Sequence, residues 1–268
     1  MSLPDPTGPF DALTSVTHPT AERATAHLPE RWLQGRGLFG GIVAATLTRA
    51  LEGVAPDRPL RNLAMEIAAP VEPGELSLHL EVLRAGSAVT TASVRLLQQG
   101  ELRAHAVGVL GRTRMTDRDG VDLAPPSPKP WREVEVVPVQ APLGPEFSQF
   151  FEYRPTGPLP MSGDLPVVEG WVRPKNPGAK RDAAYVAACI DAYWPAHLSR
   201  ESQVRPMATV AFNFQPRPDF EGLDPEAPHF YRARVLATDG GYSVETRELW
   251  GEDGRLLGLN QQTFVIIK

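Results

Sequence analysis

The sequence predicts an α+β chain in which one plan is written twice, each copy an antiparallel sheet wrapped round a single central helix. Three observations predict it. Two short runs, Gly40 to Thr48 and Ala184 to Asp191, are apolar almost all round, and a helix of that kind is covered on every side. Each run is followed by a series of strand-like segments. Gly86, Gly100 and Leu102 of the first series return at one constant offset as Gly240, Gly254 and Leu256. Few side chains between these markers match, so the repeat is one of architecture more than identity.

Taken in order, residues 1 to about 13 read as a loose lead-in with several prolines. The first helix should run from Gly41 to about Leu51 and stop by Gly53. Leu63 to Ile67 reads as a strand ended by Pro70 and Pro73. Leu76, Leu78, Leu80 and Val82 alternate with Ser77, His79 and Glu81, the pattern of a half-buried strand. Val89 to Leu97 and Leu102 to Leu110 follow, with Gly86 and Gly100 marking the turns of an antiparallel meander. From Met115 to Pro145 seven prolines, from Pro125 to Pro142 and Pro145, crowd a stretch without period, read as an extended linker. Strands at Phe147 to Tyr153 and Val167 to Val172 come next. The second helix should start near Asp182, a plausible N-cap, run to about Tyr193 and stop at Pro195. Strands at Ala208 to Phe214, Phe230 to Ala237, Tyr242 to Trp250 and Leu256 to Ile267 complete the chain. One apolar helix per antiparallel sheet, twice over, is the plan of a double hot-dog fold. The expected units are 14–115 for the first copy, 116–145 for the linker and 146–268 for the second.

Composition bounds the function. The chain has 268 residues, 42% hydrophobic and 22% charged, with a net charge of -5. That balance argues against a general nucleic-acid binder. The single cysteine, Cys189, excludes an internal disulfide framework and fits a reducing, cytoplasmic setting. We expect neither a signal peptide nor a membrane span. An exposed edge strand invites pairing, so a homo-oligomer is expected.

Asp191 is the sharpest chemical signal. Laid on the first helix it falls on Thr48, and a carboxylate in a helix this apolar is costly to bury. Either that face meets solvent, or an arginine pairs with it, or it is a desolvated base with a raised pKa that activates water. His197 lies past Pro195 and off the same helical face. Gly35-Arg36-Gly37-Leu38-Phe39-Gly40 matches G-x-G-x-x-G, but Pro29 to Gln34 before it makes a poor buried strand, and we reject a dinucleotide site. The glycines remain either a close helix–sheet contact or a helix entry whose free N–H groups at Gly40 and Gly41 polarise a carbonyl. Thr209 and Gln262 each fall within a strand. His79 and His105 show no metal-ligand spacing, and no metal is expected. No G-x-S-x-G elbow is present. Arg112, Arg114, Arg173, Lys175, Lys180 and Arg181 could meet a phosphate, though a solvated surface is the simpler reading of each.

On these residues the chain resembles the double hot-dog acyl-CoA thioesterases, of the acyl-CoA thioesterase II type and its bacterial relatives. The likeness rests on Gly37-Leu38-Phe39-Gly40-Gly41, on Tyr185 to Asp191, on Met207-Ala208-Thr209-Val210, and on Asp253-Gly254-Arg255-Leu256-Leu257 leading to Gln261-Gln262. It implies a hydrolase of fatty acid metabolism acting on acyl-CoA, with a catalytic Asp191, Thr209 and Gln262, Gln261 being the register alternative. It implies no cofactor beyond the coenzyme A of the substrate. Ala211-Phe212-Asn213-Phe214 departs from the acidic, histidine-containing strand of the family. Two other readings stand beside it. One is a non-catalytic acyl-CoA or lipid-binding hot-dog protein. The other is an enoyl-thioester hydratase, whose Asp-x-Asn-x-x-His-like loop the chain lacks.

Overall fold

The computed structural model describes residues 3–114, 120–141, 144–163, 165–203, 205–217, 219–224 and 226–267. Met115 and Pro142, at the expected start and within the linker, lie outside the described residues, as does the 115/116 boundary. Each copy has two strands, a helix and four more strands. The first holds β1 (Val16–Thr20), β2 (Arg23–Leu28), α2 (Gly40–Glu52), β5 (Leu60–Ile67), β6 (Gly74–Ala85), β7 (Val89–Gln98) and β8 (Glu101–Gly111). The second holds β9 (Phe151–Pro155), β10 (Val167–Pro174), α3 (Ala183–Asp191), β11 (Met207–Pro216), β12 (His229–Asp239), β13 (Tyr242–Trp250) and β14 (Leu256–Ile266). A short helix α1 (Phe10–Leu13) and the two-residue strands β3 (Leu33–Gln34) and β4 (Gly37–Leu38) stand outside the repeat.

Among the described residues the two sheets join into one of twelve strands, ordered β1-β2-β6-β7-β8-β5-β11-β14-β13-β12-β10-β9. The order reads the same from either end once each strand is matched to its counterpart, and the seam is the antiparallel pair β5–β11. The inner face of this curled sheet wraps both helices, and every residue of α3 is buried. The helices touch each other closely. A Cβ added at Gly41 would lie 3.0 Å from the Cα of Ala188 and would overlap the Phe39 ring. A larger residue there would push the helices apart.

The registers match the copies residue by residue. Gln262 pairs with Glu245 on one side and Phe212 on the other. Gly108 pairs likewise with Ala92 and Leu63. The bulge between Thr209 and Ala211 has its counterpart between Leu60 and Asn62. Both helices start at matching residues, Gly40 and Ala183, so Thr48 does correspond to Asp191.

Several expectations need correction. The lead-in is not loose: Phe10 and Leu13 of α1 are buried, because an apolar face closes over the core even in a helix of one turn. Strands β1 and β2 were not expected; β1 carries Pro19 within it. The second helix ends at Asp191 rather than near Tyr193, and Phe147 lies in a 3-10 turn (Glu146–Phe150) before its strand begins at Phe151. The linker is extended but also packs. Trp131 and Val134 lie against Trp171, Phe230, Trp250 and Leu256. The Trp171 indole donates to the Lys129 carbonyl at 2.9 Å. These contacts roof the outer face of the second copy's sheet. Among the described residues no helix is long and apolar enough to cross a membrane.

Candidate active site

The site lies where the start of α2, from the first copy, meets the end of α3, from the second. Phe39, the residue before α2, provides no side-chain cap. Its ring is fully buried, stacked on Phe147 with centroids 3.9 Å apart. The N–H groups of Gly40 and Gly41 consequently have no acceptor among the described residues, and they carry the positive end of the helix dipole. A Cβ placed on Gly40 would lie 2.9 Å from Asp191 Oδ2. Glycine at position 40 therefore lets a carboxylate approach the helix terminus.

Asp191 retains 8% of its exposure. Its two oxygens are used differently. Oδ1 accepts from Gln262 Nε2 at 2.6 Å and from Arg247 Nη1 at 2.7 Å. Oδ2 faces Gly40 and has no donor among the described residues. Gln262 is in turn fixed at its other end, where Oε1 accepts from the Thr209 hydroxyl at 3.1 Å. The three residues expected from the sequence are thus one hydrogen-bonded chain. Gln261 is exposed on the opposite face of β14, so the register favours Gln262. Gly40 touches the site, while Gly41 answers to the helix crossing.

Two members of the cluster were missed. Arg247 and Glu245, on β13, are both buried, at 1% and 0% exposure. Arg247 binds Glu245 Oε1 through Nε at 2.7 Å and Nη2 at 2.6 Å. Glu245 Oε2 accepts from the Ala196 amide at 2.8 Å, just after α3. One buried cation therefore serves two buried carboxylates. Burial raises the Asp191 pKa above the ordinary carboxylate range, against the opposing pull of Arg247 and Gln262. Burial alone would weaken the Arg247 proton, but Tyr231, Glu245 and Asp191 around it hold it above its usual range. An arginine does pair with Asp191, one of the alternatives open from sequence, and it does so without closing off Oδ2.

The other candidates fall elsewhere. His197 pairs with Glu201 at 3.0 Å. His79 meets Arg23, and His105 lies 3.6 Å from Glu66. Among the described residues no group of three or more His, Cys, Asp or Glu side chains is placed to hold a metal ion. Arg112 pairs with Asp57, Arg173 with Glu152, and Arg181 lies over the Tyr185 ring. Cys189 is buried and its thiol is pushed up to about 12, which keeps it protonated and a poor nucleophile. Gly35, at φ +67°, turns the chain between the two-residue strands β3 and β4, which form their own small ribbon. No central strand precedes the glycines, in keeping with rejection of a dinucleotide site.

This arrangement offers a carboxylate with one free oxygen beside open backbone donors. That combination can take a proton from water and receive negative charge on a carbonyl oxygen. Residues 28–111 match the family profile of the acyl-CoA thioesterase N-terminal domain, and residues 118–266 that of the C-terminal domain. No curated protein matches the chain in sequence. Among solved structures, a hot-dog-fold protein of unknown function from Alicyclobacillus acidocaldarius is 23% identical, over 97% of this chain and 98% of that one, with a TM-score of 0.82. The tesB protein of Mycobacterium avium is 17% identical over 97% and 98% of the two chains, with a TM-score of 0.76. An acyl-CoA thioesterase II from Mycobacterium marinum is 15% identical over 96% and 98%, with a TM-score of 0.72. At such identities these likenesses speak to the fold.

Proposed function

The chain belongs to the acyl-CoA thioesterase family, and from that premise we propose that it hydrolyses acyl-CoA to free acid and coenzyme A with Asp191 as general base. The observation that carries this reading is the free Oδ2 of Asp191 lying against Gly40 at an uncapped helix start. In the proposed reaction Asp191 takes a proton from water as the water oxygen bonds to the thioester carbonyl carbon. The carbonyl oxygen gains negative charge and is received by N–H groups at Gly40 and Gly41. When the intermediate collapses, the C–S bond breaks. The coenzyme A sulfur leaves with the electron pair and takes the proton from Asp191, and the acid remains.

Thr209 and Gln262 orient this water. The Thr209 hydroxyl hydrogen is given to Gln262, which leaves its lone pairs to accept from water. Gln262 gives one amide hydrogen to Asp191 and keeps a second. The scheme uses only groups of the chain and its substrate. The fatty acyl-CoA pool of the cytoplasm would be its setting, and self-association belongs to the same reading. A light-scattering mass of 29.2 kDa, the single chain, at micromolar concentration would count against that last element.

The test is release of free thiol from acyl-CoAs of graded chain length, by wild type and Asp191→Asn. The expected result is a loss of about a hundredfold to ten-thousandfold, with kcat/KM rising with pH through a value above the ordinary carboxylate range. Equal rates in the two proteins overturn the role of Asp191. Acyl-CoA binding without hydrolysis by wild type at any chain length favours the binding-protein reading.

A further inference from the structure

Gly40 accounts for the outward oxygen of Asp191, but the ion pair behind its other oxygen has no part in the scheme so far. We propose that Arg247, itself fixed by Glu245, is a positioning residue for the hydrolysis, holding Asp191 by Oδ1 so that Oδ2 stays turned to Gly40 and ionised when water is activated. This rests on the hydrolytic reading above.

Geometry supports it first. Arg247 Nη1 reaches Asp191 Oδ1 at 2.7 Å and the Ile190 carbonyl at 3.3 Å, so it grips both the side chain and the last turn of α3. The rest of its guanidinium is committed to Glu245. Glu245 is anchored by the Ala196 amide, just beyond the C-terminal end of that turn. The assembly can tilt little without breaking a buried charge-assisted bond.

The duplicated fold supplies a second argument. Buried ion pairs are weak as stabilising devices, and apolar residues of similar size often serve as well. The first copy makes that replacement. Register places Ala92 where Glu245 stands and Val94 where Arg247 stands, and both are fully buried. The fold therefore does not need the pair. It occurs only in the copy whose helix has a carboxylate at the matched position, Asp191, where the other copy has Thr48.

The groups facing Asp191 set the sign of the effect. Arg247 and Glu245 come from β13, Tyr231 from β12 and Tyr153 from β9; Gln262 from β14 and Gly40 from α2 do not titrate. Arg247 favours the charged carboxylate, and Glu245 opposes it. Deleting the pair removes the direct partner of Asp191, whereas neutralising Glu245 alone leaves that partner to Asp191.

The experiment compares wild type, Glu245→Gln and the double variant Arg247→Met/Glu245→Met. Asp191 is titrated by carboxyl carbon NMR, its signal identified by its loss in Asp191→Asn. The pH profile of kcat/KM for acyl-CoA hydrolysis is measured beside it. In the double variant the titration midpoint and the acid limb should both rise by about one unit or more. In Glu245→Gln both should fall. If folded variants titrate with the wild-type midpoint, the proposal is overturned, whatever the rates. If the double variant does not fold, the direction of the Glu245→Gln shift decides, because that change keeps the side chain's shape and an acceptor oxygen for Arg247, giving up only the bond from the Ala196 amide. A shifted midpoint in a protein that hydrolyses no acyl-CoA sinks the hydrolytic reading and leaves the hold of Arg247 on Asp191 standing. An active wild type with unmoved midpoints does the reverse.

Discussion

At the start of α2 the N–H groups of Gly40 and Gly41 are open, and a carboxylate from the other copy stands beside them. At the matching start of α3 the terminus is closed. Asp182, the counterpart of Phe39, accepts from the Tyr185 amide at 2.9 Å, as an N-cap does. Arg49 then holds Asp182 at 2.6 Å. The residues round the two sites diverge in the same sense. Where the second copy places Asp191, Thr209, Gln262, Glu245 and Arg247, the first places Thr48, Leu60, Gly108, Ala92 and Val94. Leu51 and Leu60 lie over Gly108 so closely that a Cβ there would come within 2.9 Å of the Leu51 side chain. One fold thus carries a capped end without this polar cluster and an open end with it. The difference teaches that sheet and helix need none of the polar cluster, which makes the cluster a matter of chemistry.

The sharpest way to break this comparison is to give the second copy the first copy's residue. Asp191→Thr removes the base and leaves Arg247 paired with Glu245. Hydrolysis should fall by about a hundredfold to ten-thousandfold, with the melting temperature held or raised, since a costly buried carboxylate is gone. Steady-state rates with a parallel thermal melt check it. Retained activity would mean that the open terminus works without Asp191.

Gly40→Ala gives α2 the first residue of α3. The new methyl would crowd Asp191 Oδ2, which cannot swing away while Oδ1 is held by two donors. Displacement of a positioned group by a fraction of an ångström should cost roughly tenfold to a hundredfold in kcat/KM. Alanine is the better helix former by about 1 kcal/mol, so stability should be nearly unchanged. A large fall in melting temperature with normal activity in the folded fraction would refute the claim that glycine is there for the site.

Asp182→Ala tests the closed end. It removes a cap worth about 1 kcal/mol, up to about 2, and strips a partner from the part-buried Arg49. The melting temperature should drop by several degrees, while kcat per folded molecule stays at the wild-type value. A selective loss of activity would show that the two ends are less independent than their structures suggest.

What could be read from the sequence follows the same division. Helices apolar on all sides, glycine turns at a constant offset and a lone acid among alanines are local signals, and they led to the fold and Asp191, whereas Thr209 and Gln262 were singled out only by the resemblance to the thioesterases. Arg247 and Glu245 were not legible for a physical reason. In β13, Ser243, Glu245 and Arg247 alternate with Val244, Thr246 and Glu248, so both faces look polar, and a charged face is by default turned to water. Here it is turned inward, and only the charge of Asp191 on another element makes that tolerable. The packing of the linker was hidden similarly, since Trp131 and Val134 find their partners on strands far along the chain.

The smallest expected effect concerns another polar residue in the second copy's interior. His229 is 2% exposed, and both ring nitrogens lack a partner among the described residues. By register its counterpart is Leu76, fully buried. Burial pushes the imidazole down to about 4 from an ordinary 6.5, so the folded chain keeps it neutral. The unfolded chain takes up this proton first as pH falls. The contribution is therefore present in full above pH 6.5 and is lost progressively as pH drops toward 4. By linkage the loss amounts to about 1 kcal/mol at pH 6. His229→Leu, which copies the first half, should match wild-type stability near pH 8 to within the packing change of the swap. It should lose about 1 kcal/mol less than wild type between pH 8 and pH 6, read from urea midpoints at the two pH values. The same pH dependence in both proteins would place the acid sensitivity of the fold in other groups. A variant much weaker at pH 8 would mean that the imidazole is held by bonds its present surroundings do not offer.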